Sequence, residues 1–173
     1  MNTPAQSQVR KTVLIRMCAV VAGLDHFLGR FPMSVTQLVL RFAVALPFWR
    51  SGQTKWTEWL QLSDSAVYLF EEEFRLHIFG SQYAYAQAQL IAYASSIAEV
   101  VLPVLLVVGL GTRFAALGIL IMTAMIQLTV PDGWQTYHLP WAAMALAVLT
   151  YGPGRLSIDH LLTREMRPNL ERS

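Results

Sequence analysis

The sequence predicts an all-α fold: an integral membrane, antiparallel four-helix bundle with an N-terminal interfacial helix and an amphipathic helix in the outer loop. Of its 173 residues, 54% are hydrophobic and only 14% are charged, and the mean hydropathy is +0.41. Soluble domains carry about a quarter charged residues, so a disordered chain and an ordinary soluble enzyme are both excluded. The single cysteine, Cys18, excludes an internal disulfide, and a net charge of +2 gives no basis for a nucleic-acid partner.

Four segments are candidate membrane spans, since a spanning helix needs about 20 mainly apolar residues and at least about 17. They cover residues 34–50, 86–110, 112–130 and 136–152. The first is the shortest and carries Arg41 near its middle, whereas the second and third are continuous apolar runs. Glycine and proline interrupt the apolar sequence between the later spans, and such short turns make neighbouring helices antiparallel.

Positive charge predicts the orientation of these spans, because Lys and Arg are concentrated in cytoplasmic loops. The charges that precede the first span, lie between the second and third, or follow the fourth are Arg10, Lys11, Arg16, Arg30, Arg113, Arg155, Arg164, Arg167 and Arg172. The 51–85 connection is acidic instead, and the five tryptophans map to its side of the bundle. Both termini are therefore predicted to lie in the cytoplasm.

The same pattern divides the chain into three regions. Residues 1–33 mix apolar and charged positions as an interfacial helix does, and Arg16 argues against a cleaved signal peptide. Residues 34–154 form the membrane domain, and residues 155–173 form a cytoplasmic amphipathic tail that Ser157 caps. In the outer connection, one apolar set recurs at helical spacing and predicts a helix over the outer mouth: Val67, Phe70, Phe74 and Ile78.

Three polar side chains fall inside the predicted spans: Arg41, Glu99 and Gln127. A charge at bilayer depth costs about 2.5 to 3.5 kcal/mol on insertion scales, so such groups usually face the bundle and find partners. We therefore expect a polar seam across three helices. Pro103 adds a free acceptor to it, because proline cannot donate to the carbonyl of Glu99 four residues earlier. The alternative is an ion pair between Arg41 and Glu99 that fixes helix register and binds nothing.

A second polar group is expected at the outer mouth: Arg50, Lys55, Glu71, Glu72, Glu73, His77, Asp132 and His138. Histidine and carboxylate side chains can bind a metal or move protons. The two histidines are far apart in sequence, however, and no HxxxH or ExxH spacing supports a preformed site, so no metal site is predicted. Solvated loop charges are the favoured interpretation of this group.

The sequence resembles the DoxX family of small bacterial membrane proteins over about residues 35–162. The matching stretches are LRFAVALPFWRSGQTKW at 40–56, IAEVVLPVLLVVGLGTRFAALG at 97–118 and GPGRLSIDHLL at 152–162. The resemblance implies a four-helix inner-membrane protein that is often an accessory to redox systems, as in a quinone-linked thiosulfate-oxidising enzyme with DoxX-like subunits. Other relatives are associated with operons for metal-responsive modified peptides or with thiol-stress complexes. The family's recurrent polar residues fall by position on Arg41, Lys55, Glu99 and Arg113.

The leading functional hypothesis is a quinone-interacting redox accessory, with a lipid-accessible site formed by Arg41, Glu99, Gln127 and Lys55. Glu99 would relay a proton and Arg41 would polarise a quinone carbonyl, so these two are the candidate catalytic residues. The alternatives are a non-catalytic scaffold that handles a partner enzyme, a small peptide or a metal ligand, and a small transporter. Whether the protein is an enzyme is left open. Besides the lipid bilayer, the expected partner is another protein or a second copy of this chain.

Overall fold

The structure, a computed structural model, describes residues 4–170 of the chain and the side chains of residues 14–165. The described elements are, in chain order, α1 (Pro4–Leu28), α2 (Met33–Gln53), β1 (Trp56–Glu58), β2 (Gln61–Leu62), α3 (Asp64–Tyr68), a π-helical turn (Leu69–Glu73), β3 (Arg75–Ile78), β4 (Ser81–Ala84), α4 (Ala88–Val108), α5 (Thr112–Thr129), a 3₁₀ turn (Pro131–Gly133), a second π-helical turn (Trp134–His138), α6 (Leu139–Tyr151) and α7 (Ile158–Leu170). The chain divides into two compact units, Met1–Met33 and Ser34–Ser173. The fold is mostly helical, as predicted.

The first unit is built on α1, a helix of 25 residues. Its exposed large apolar side chains are Leu14, Ile15, Met17, Val20, Val21, Leu24, Phe27 and Leu28. Most of these positions recur three or four residues apart, so they share one face of the helix. The assignment of this helix to the membrane interface stays a prediction. It also rests on Val13, whose side chain lies outside the described residues.

The second unit has one hydrophobic core, to which α2, α4, α5 and α6 all contribute. Its buried members are Val44, Ala45, Phe48, Leu106, Ala115, Ala116, Ile119, Ala145 and Val148. Four of these are alanines, and such small residues let helix backbones approach closely. The outward faces of α4 and α5 carry exposed large apolar side chains, among them Val101, Val104, Phe114 and Ile121. A helix that is apolar on both its inner and outer faces suits a lipid surrounding.

Two helices, α4 and α5, have the length and apolar composition of a membrane span. A third span is counted only when Leu14–Leu28 and Met33–Gln53 are taken together as one broken span. The predicted fourth span contains α6, which has 13 residues and follows a π-helical turn of 5 residues. The described part of the chain thus confirms a helical fold with two or three membrane-capable helices. The four-span arrangement stays a prediction.

The connection between α2 and α4 differs in part from its prediction. The helix expected over it is present as α3 and the π-helical turn, but it ends at Phe74, whose backbone is extended (φ −76°, ψ 126°). The chain then forms the antiparallel hairpin β3 and β4, with Ile78 opposite Ser81. The two residues between them, Phe79 and Gly80, have φ of 49° and 80°. Two successive positive φ angles are typical of the tight turn that matches strand twist, so this turn fixes a hairpin where helical spacing suggested a longer helix.

The C-terminal helix α7 begins where the sequence predicts. The Ser157 hydroxyl accepts a hydrogen bond from the backbone N–H of His160 at 3.2 Å, which caps the first turn of the helix. The same hydroxyl donates to the carbonyl of Gly154 at 2.7 Å. The predicted cap is therefore confirmed. The side chains of Arg167 and Arg172 lie outside the described residues, and the cytoplasmic location of this tail stays a prediction.

Candidate functional site

A largely apolar cavity of about 580 Å³ lies in the second unit, between the end of α2, the α2–α4 connection, α4 and α5. We call it the Lys55/Glu99 cavity. Its lining residues include Pro47, Phe48, Ser51, Thr54, Lys55, Ser65, Ala66, Leu69, Phe70, Phe74, Tyr85, Ile91, Ala94, Ser95, Glu99, Ile121, Met122, Met125, Ile126, Thr129, Val130 and Trp141. Only two of these side chains are charged. A cavity of this size and character matches the usual binding site of a small organic molecule.

The two charged residues of the cavity form a buried ion pair. Lys55 Nζ donates to Glu99 Oε1 at 2.5 Å, and the side chains are only 13% and 5% exposed. The ammonium also lies 5.7 Å from the ring centroid of Phe70, a favourable position for a cation over an aromatic face. Gly52 lets this end of α2 approach α4, because a Cβ at that position would come within 3.1 Å of Glu99 Cβ.

The second oxygen of the Glu99 carboxylate has no partner. Four buried side-chain atoms in the described residues lack a hydrogen bond, namely Arg41 Nε, Arg41 Nη1, Glu99 Oε2 and Thr112 Oγ1. Of these residues, Glu99 alone lines the cavity. Several hydroxyls of the lining are already occupied, since Thr54 donates to the Ser51 carbonyl and Thr129 bonds Tyr85 and the Met125 carbonyl. The unpartnered carboxylate oxygen of Glu99 is therefore one acceptor that a ligand in this cavity could satisfy.

Arg41, which the sequence places beside Glu99, has a different environment. Its side chain is fully buried, donates to the carbonyl of Leu156 and packs on Gly109. Among the described residues, the ion pair between Lys55 and Glu99 is the only one within 4.0 Å, so the alternative interpretation, an ion pair between Arg41 and Glu99, is wrong. Arg41 is also absent from the lining of the cavity.

The charge that faces Arg41 is Asp159, at the start of α7. The Asp159 carboxylate accepts hydrogen bonds from the backbone N–H groups of Gly111 at 2.7 Å and Thr112 at 2.8 Å. Its own N–H donates to the carbonyl of Gly109 at 2.9 Å. Burial alone would raise the pKa of Asp159, but these two N–H groups and the charge of Arg41 together lower it below its ordinary value. We call this group the Arg41/Asp159 cluster.

Gln127, the third member of the predicted seam, pairs with His138 instead of Glu99. His138 Nδ1 lies 2.6 Å from Gln127 Oε1, and Gln127 Nε2 donates to the carbonyl of Pro131. The imidazole is only 4% exposed and packs against the ring of Trp141 at 5.6 Å. The expectation of solvated loop charges is therefore wrong for His138, and it is also wrong for Lys55. A histidine at the end of a turn can be buried when a neighbouring amide oxygen accepts its N–H, as Gln127 does here.

The other residues of the predicted outer-mouth group do not converge on one site. His77 Nδ1 lies 3.2 Å from the carbonyl of Leu128, and Glu71 accepts from Gln89 at 2.8 Å. Arg50 and Asp132 are exposed. In the part of the chain that the structure describes, no three His, Cys, Asp or Glu side chains are grouped so that they could hold a metal ion.

Comparison with known proteins adds the family. The family model of DoxX matches residues 36–132. The chain belongs to the DoxX family. This DoxX chain is also 29% identical over 141 residues to an uncharacterized protein of Haemophilus influenzae, a match that covers 75% of this chain and 85% of the relative. No solved structure matches it. The proteins of this family are membrane proteins, in agreement with the two apolar helices.

The matched range includes both charged residues of the cavity but only half of the second cluster. Arg41, Lys55, Glu99 and Gln127 lie within residues 36–132, whereas His138 and Asp159 follow it. Sequence reasoning found Arg41 and Glu99 because a charge in an apolar run stands out. It missed Asp159 as the neighbour of Arg41, because Asp159 lies in the polar tail. The sequence signal for Asp159 was its position two residues after the helix cap Ser157. An acidic side chain there can also accept hydrogen bonds from the N–H groups that begin a second helix.

Proposed function

We propose that this DoxX protein binds a quinone in the Lys55/Glu99 cavity and serves as an accessory subunit of a membrane redox system. The observation that carries the proposal is a single buried ion pair in the wall of a largely apolar cavity of about 580 Å³. A quinone has an apolar ring and tail with polar oxygens at the ring edge. An apolar cavity buries the ring and tail, and its few polar groups orient the ring oxygens.

The chemistry that this site supplies is hydrogen bonding and proton transfer. The ammonium of Lys55 carries three N–H donors, of which one is used by Glu99, so it can donate to a quinone carbonyl. Reduction of a quinone to a hydroquinone takes up two electrons and two protons. The electrons would be supplied by a redox partner protein, and Glu99 would take up each proton from water and pass it to the ring oxygen. Arg41 and Gln127, which the sequence also assigned to the site, lie outside the cavity lining.

The proposal includes the membrane arrangement inferred from the sequence. Four spans are supported by the shared core of α2, α4, α5 and α6. Cytoplasmic termini are supported by the distribution of Lys and Arg, and a location in the bacterial inner membrane is what the family resemblance implies. The cavity then opens on the other side of the membrane, near the α2–α4 connection. The partner is a redox protein or a second copy of this chain. The exposed apolar faces of α4 and α5 offer a surface for this contact.

The proposal is tested by measuring whether the cavity binds a quinone. A short-chain alkyl benzoquinone is equilibrated by dialysis with the protein in mild detergent, and empty micelles correct for partition into detergent. Ala94 lines the cavity, so Ala94→Phe fills part of it. We expect this variant to bind the benzoquinone about tenfold more weakly than the wild type does. Overpacking costs about 1–3 kcal/mol, and a tenfold change in affinity corresponds to about 1.4 kcal/mol.

A matched variant controls for the added bulk. Ala124 is exposed on α5 and does not line the cavity, so Ala124→Phe should bind the benzoquinone as the wild type does. If both variants weakened binding equally, the quinone would not bind in this cavity. Binding by the wild type no greater than by empty micelles would overturn the proposed function.

A further inference from the structure

The Glu99 carboxylate is only half satisfied within the protein. Oε1 accepts from Lys55 Nζ, whereas Oε2 is buried without any hydrogen-bond partner. A buried acceptor in this state has lost its hydration and gained nothing in return. Oε2 itself is covered, but Glu99 lines the cavity, so a small rotation of the carboxylate lets a molecule inside the cavity supply the missing donor.

The charge state of Glu99 decides which ligand groups can fill that role. A carboxylate paired with a lysine accepts hydrogen bonds and donates none. Oε2 therefore needs an O–H or N–H from the ligand. Lys55, on the other side of the pair, still has N–H groups that need an acceptor. A single hydroxyl satisfies both, since its oxygen accepts from Nζ and its hydrogen is donated to Oε2. A quinone carbonyl has no hydrogen and can satisfy Lys55 alone.

We infer that the Lys55/Glu99 cavity binds the reduced hydroquinone more tightly than the quinone, because only the hydroquinone donates a hydrogen bond to Glu99. This inference rests on the proposed function and names the redox state that the site prefers. Preferential binding of the reduced form raises the reduction potential of the bound couple. A tenfold preference corresponds to about 30 mV for a two-electron couple, which makes the bound quinone a better electron acceptor for the partner protein.

The preference is tested with two ligands that differ at one oxygen, where a methyl group replaces the donated hydrogen. A 4-alkylphenol donates one hydrogen bond, whereas the methyl ether of the same phenol has nearly the same ring and chain and donates none. Neither compound is a redox couple of the quinone type, so oxidation does not disturb the measurement. We expect the phenol to bind the wild-type protein in mild detergent about tenfold more tightly than the ether, after correction with empty micelles.

Two variants locate the donor contact. In Glu99→Gln the amide replaces one carboxylate oxygen by an N–H₂ group, so the preference for the phenol should fall to about twofold or less. Glu72→Gln removes the same charge from an exposed carboxylate outside the cavity lining, and its preference should equal that of the wild type. An unchanged preference in Glu99→Gln would overturn the assignment of the contact to Glu99.

The outcomes separate this inference from the proposed function. Equal affinity of the wild type for phenol and ether overturns the inference, with water then satisfying Oε2. Benzoquinone binding above the level of empty micelles would still support the proposed function in that case. Failure of all three compounds to bind overturns both. The comparison of phenol with ether in the wild type decides the question even if Glu99→Gln does not fold.

Discussion

The second unit of the protein contains two buried groups of charged residues, and they are built differently. In the Arg41/Asp159 cluster, the guanidinium is fully buried against Gly109 and Leu156, and Asp159 holds the first N–H groups of α5. In the Lys55/Glu99 cavity, an ion pair of similar burial borders about 580 Å³ of open volume. The first group connects protein segments to each other. The second leaves an unpartnered acceptor on a residue that lines a cavity.

The contrast shows that burial of a charge does not by itself indicate a ligand site. Both groups have buried polar atoms without partners, so the unpartnered atom alone does not separate them either. The difference is the volume beside the atom. Packed protein surrounds the free nitrogens of Arg41, whereas a cavity lies next to Glu99. Changes to the two groups should therefore affect different properties, stability for the first and ligand binding for the second.

The largest expected effect is on stability, from Arg41→Met. The substitution leaves Asp159 without its countercharge and the carbonyl of Leu156 without its donor. We expect the free energy of unfolding in detergent to fall by about 3–5 kcal/mol, the usual result of removing one member of a buried charged group. Arg155→Met, at an exposed position, is the control and should be nearly neutral. A stable Arg41→Met protein that had lost quinone binding would instead place Arg41 in the ligand site.

A smaller effect on the free energy of unfolding is expected from Asp159→Asn, and this effect depends on pH. Because the folded state lowers the pKa of Asp159, the carboxylate stabilises the protein fully above its ordinary pKa of about 3.9. This contribution is lost as the pH falls below that value through the lower pKa of the folded state. At pH 7 we expect Asp159→Asn to be about 1–2 kcal/mol less stable than the wild type. Unfolding titrations of both proteins should converge in acid, and a difference that is independent of pH would contradict this account.

The smallest effect on stability is expected from the paired replacement of Lys55→Met and Glu99→Met. Removing both charges leaves no unpaired ion, and apolar replacements of a buried pair are often neutral or stabilising. We expect a free energy of unfolding within about 1 kcal/mol of the wild type, or higher. Benzoquinone binding measured on the same sample should be weakened. A large loss of stability would mean that this pair also serves to hold the fold, and the contrast between the two groups would fail.

The helices were largely predictable, because apolar runs bounded by glycine and proline carry a strong local signal. The second and third predicted spans, 86–110 and 112–130, correspond to α4 at Ala88–Val108 and α5 at Thr112–Thr129. The hairpin of β3 and β4 was missed, since its strands have only four residues each and the apolar spacing around them fits a helix. Its two-residue turn depends on a positive φ at Phe79, which a phenylalanine rarely adopts.

The candidate site was predictable only in part. Glu99 was found as a carboxylate in an apolar run, and Lys55 was included through the family resemblance. Their contact joins residues 44 positions apart, and no local pattern encodes such a pairing. Arg41 was preferred as the partner of Glu99 because both lie inside predicted spans. The structure shows that Lys55, just past the end of α2, is the one that reaches Glu99.

The position of Asp159 also bears on how the protein is made. The N–H groups at the start of α5 depend on a carboxylate that is 47 residues further along the chain. During synthesis, α5 therefore leaves the ribosome long before the acceptor for its first turn exists. The hydrogen bonds between that turn and Asp159 can form only after α6 has been completed and α7 has started. The last helix thus supplies, late in synthesis, the acceptor for the start of an earlier helix. A chain that ended before residue 159 would lack this acceptor for the first N–H groups of α5.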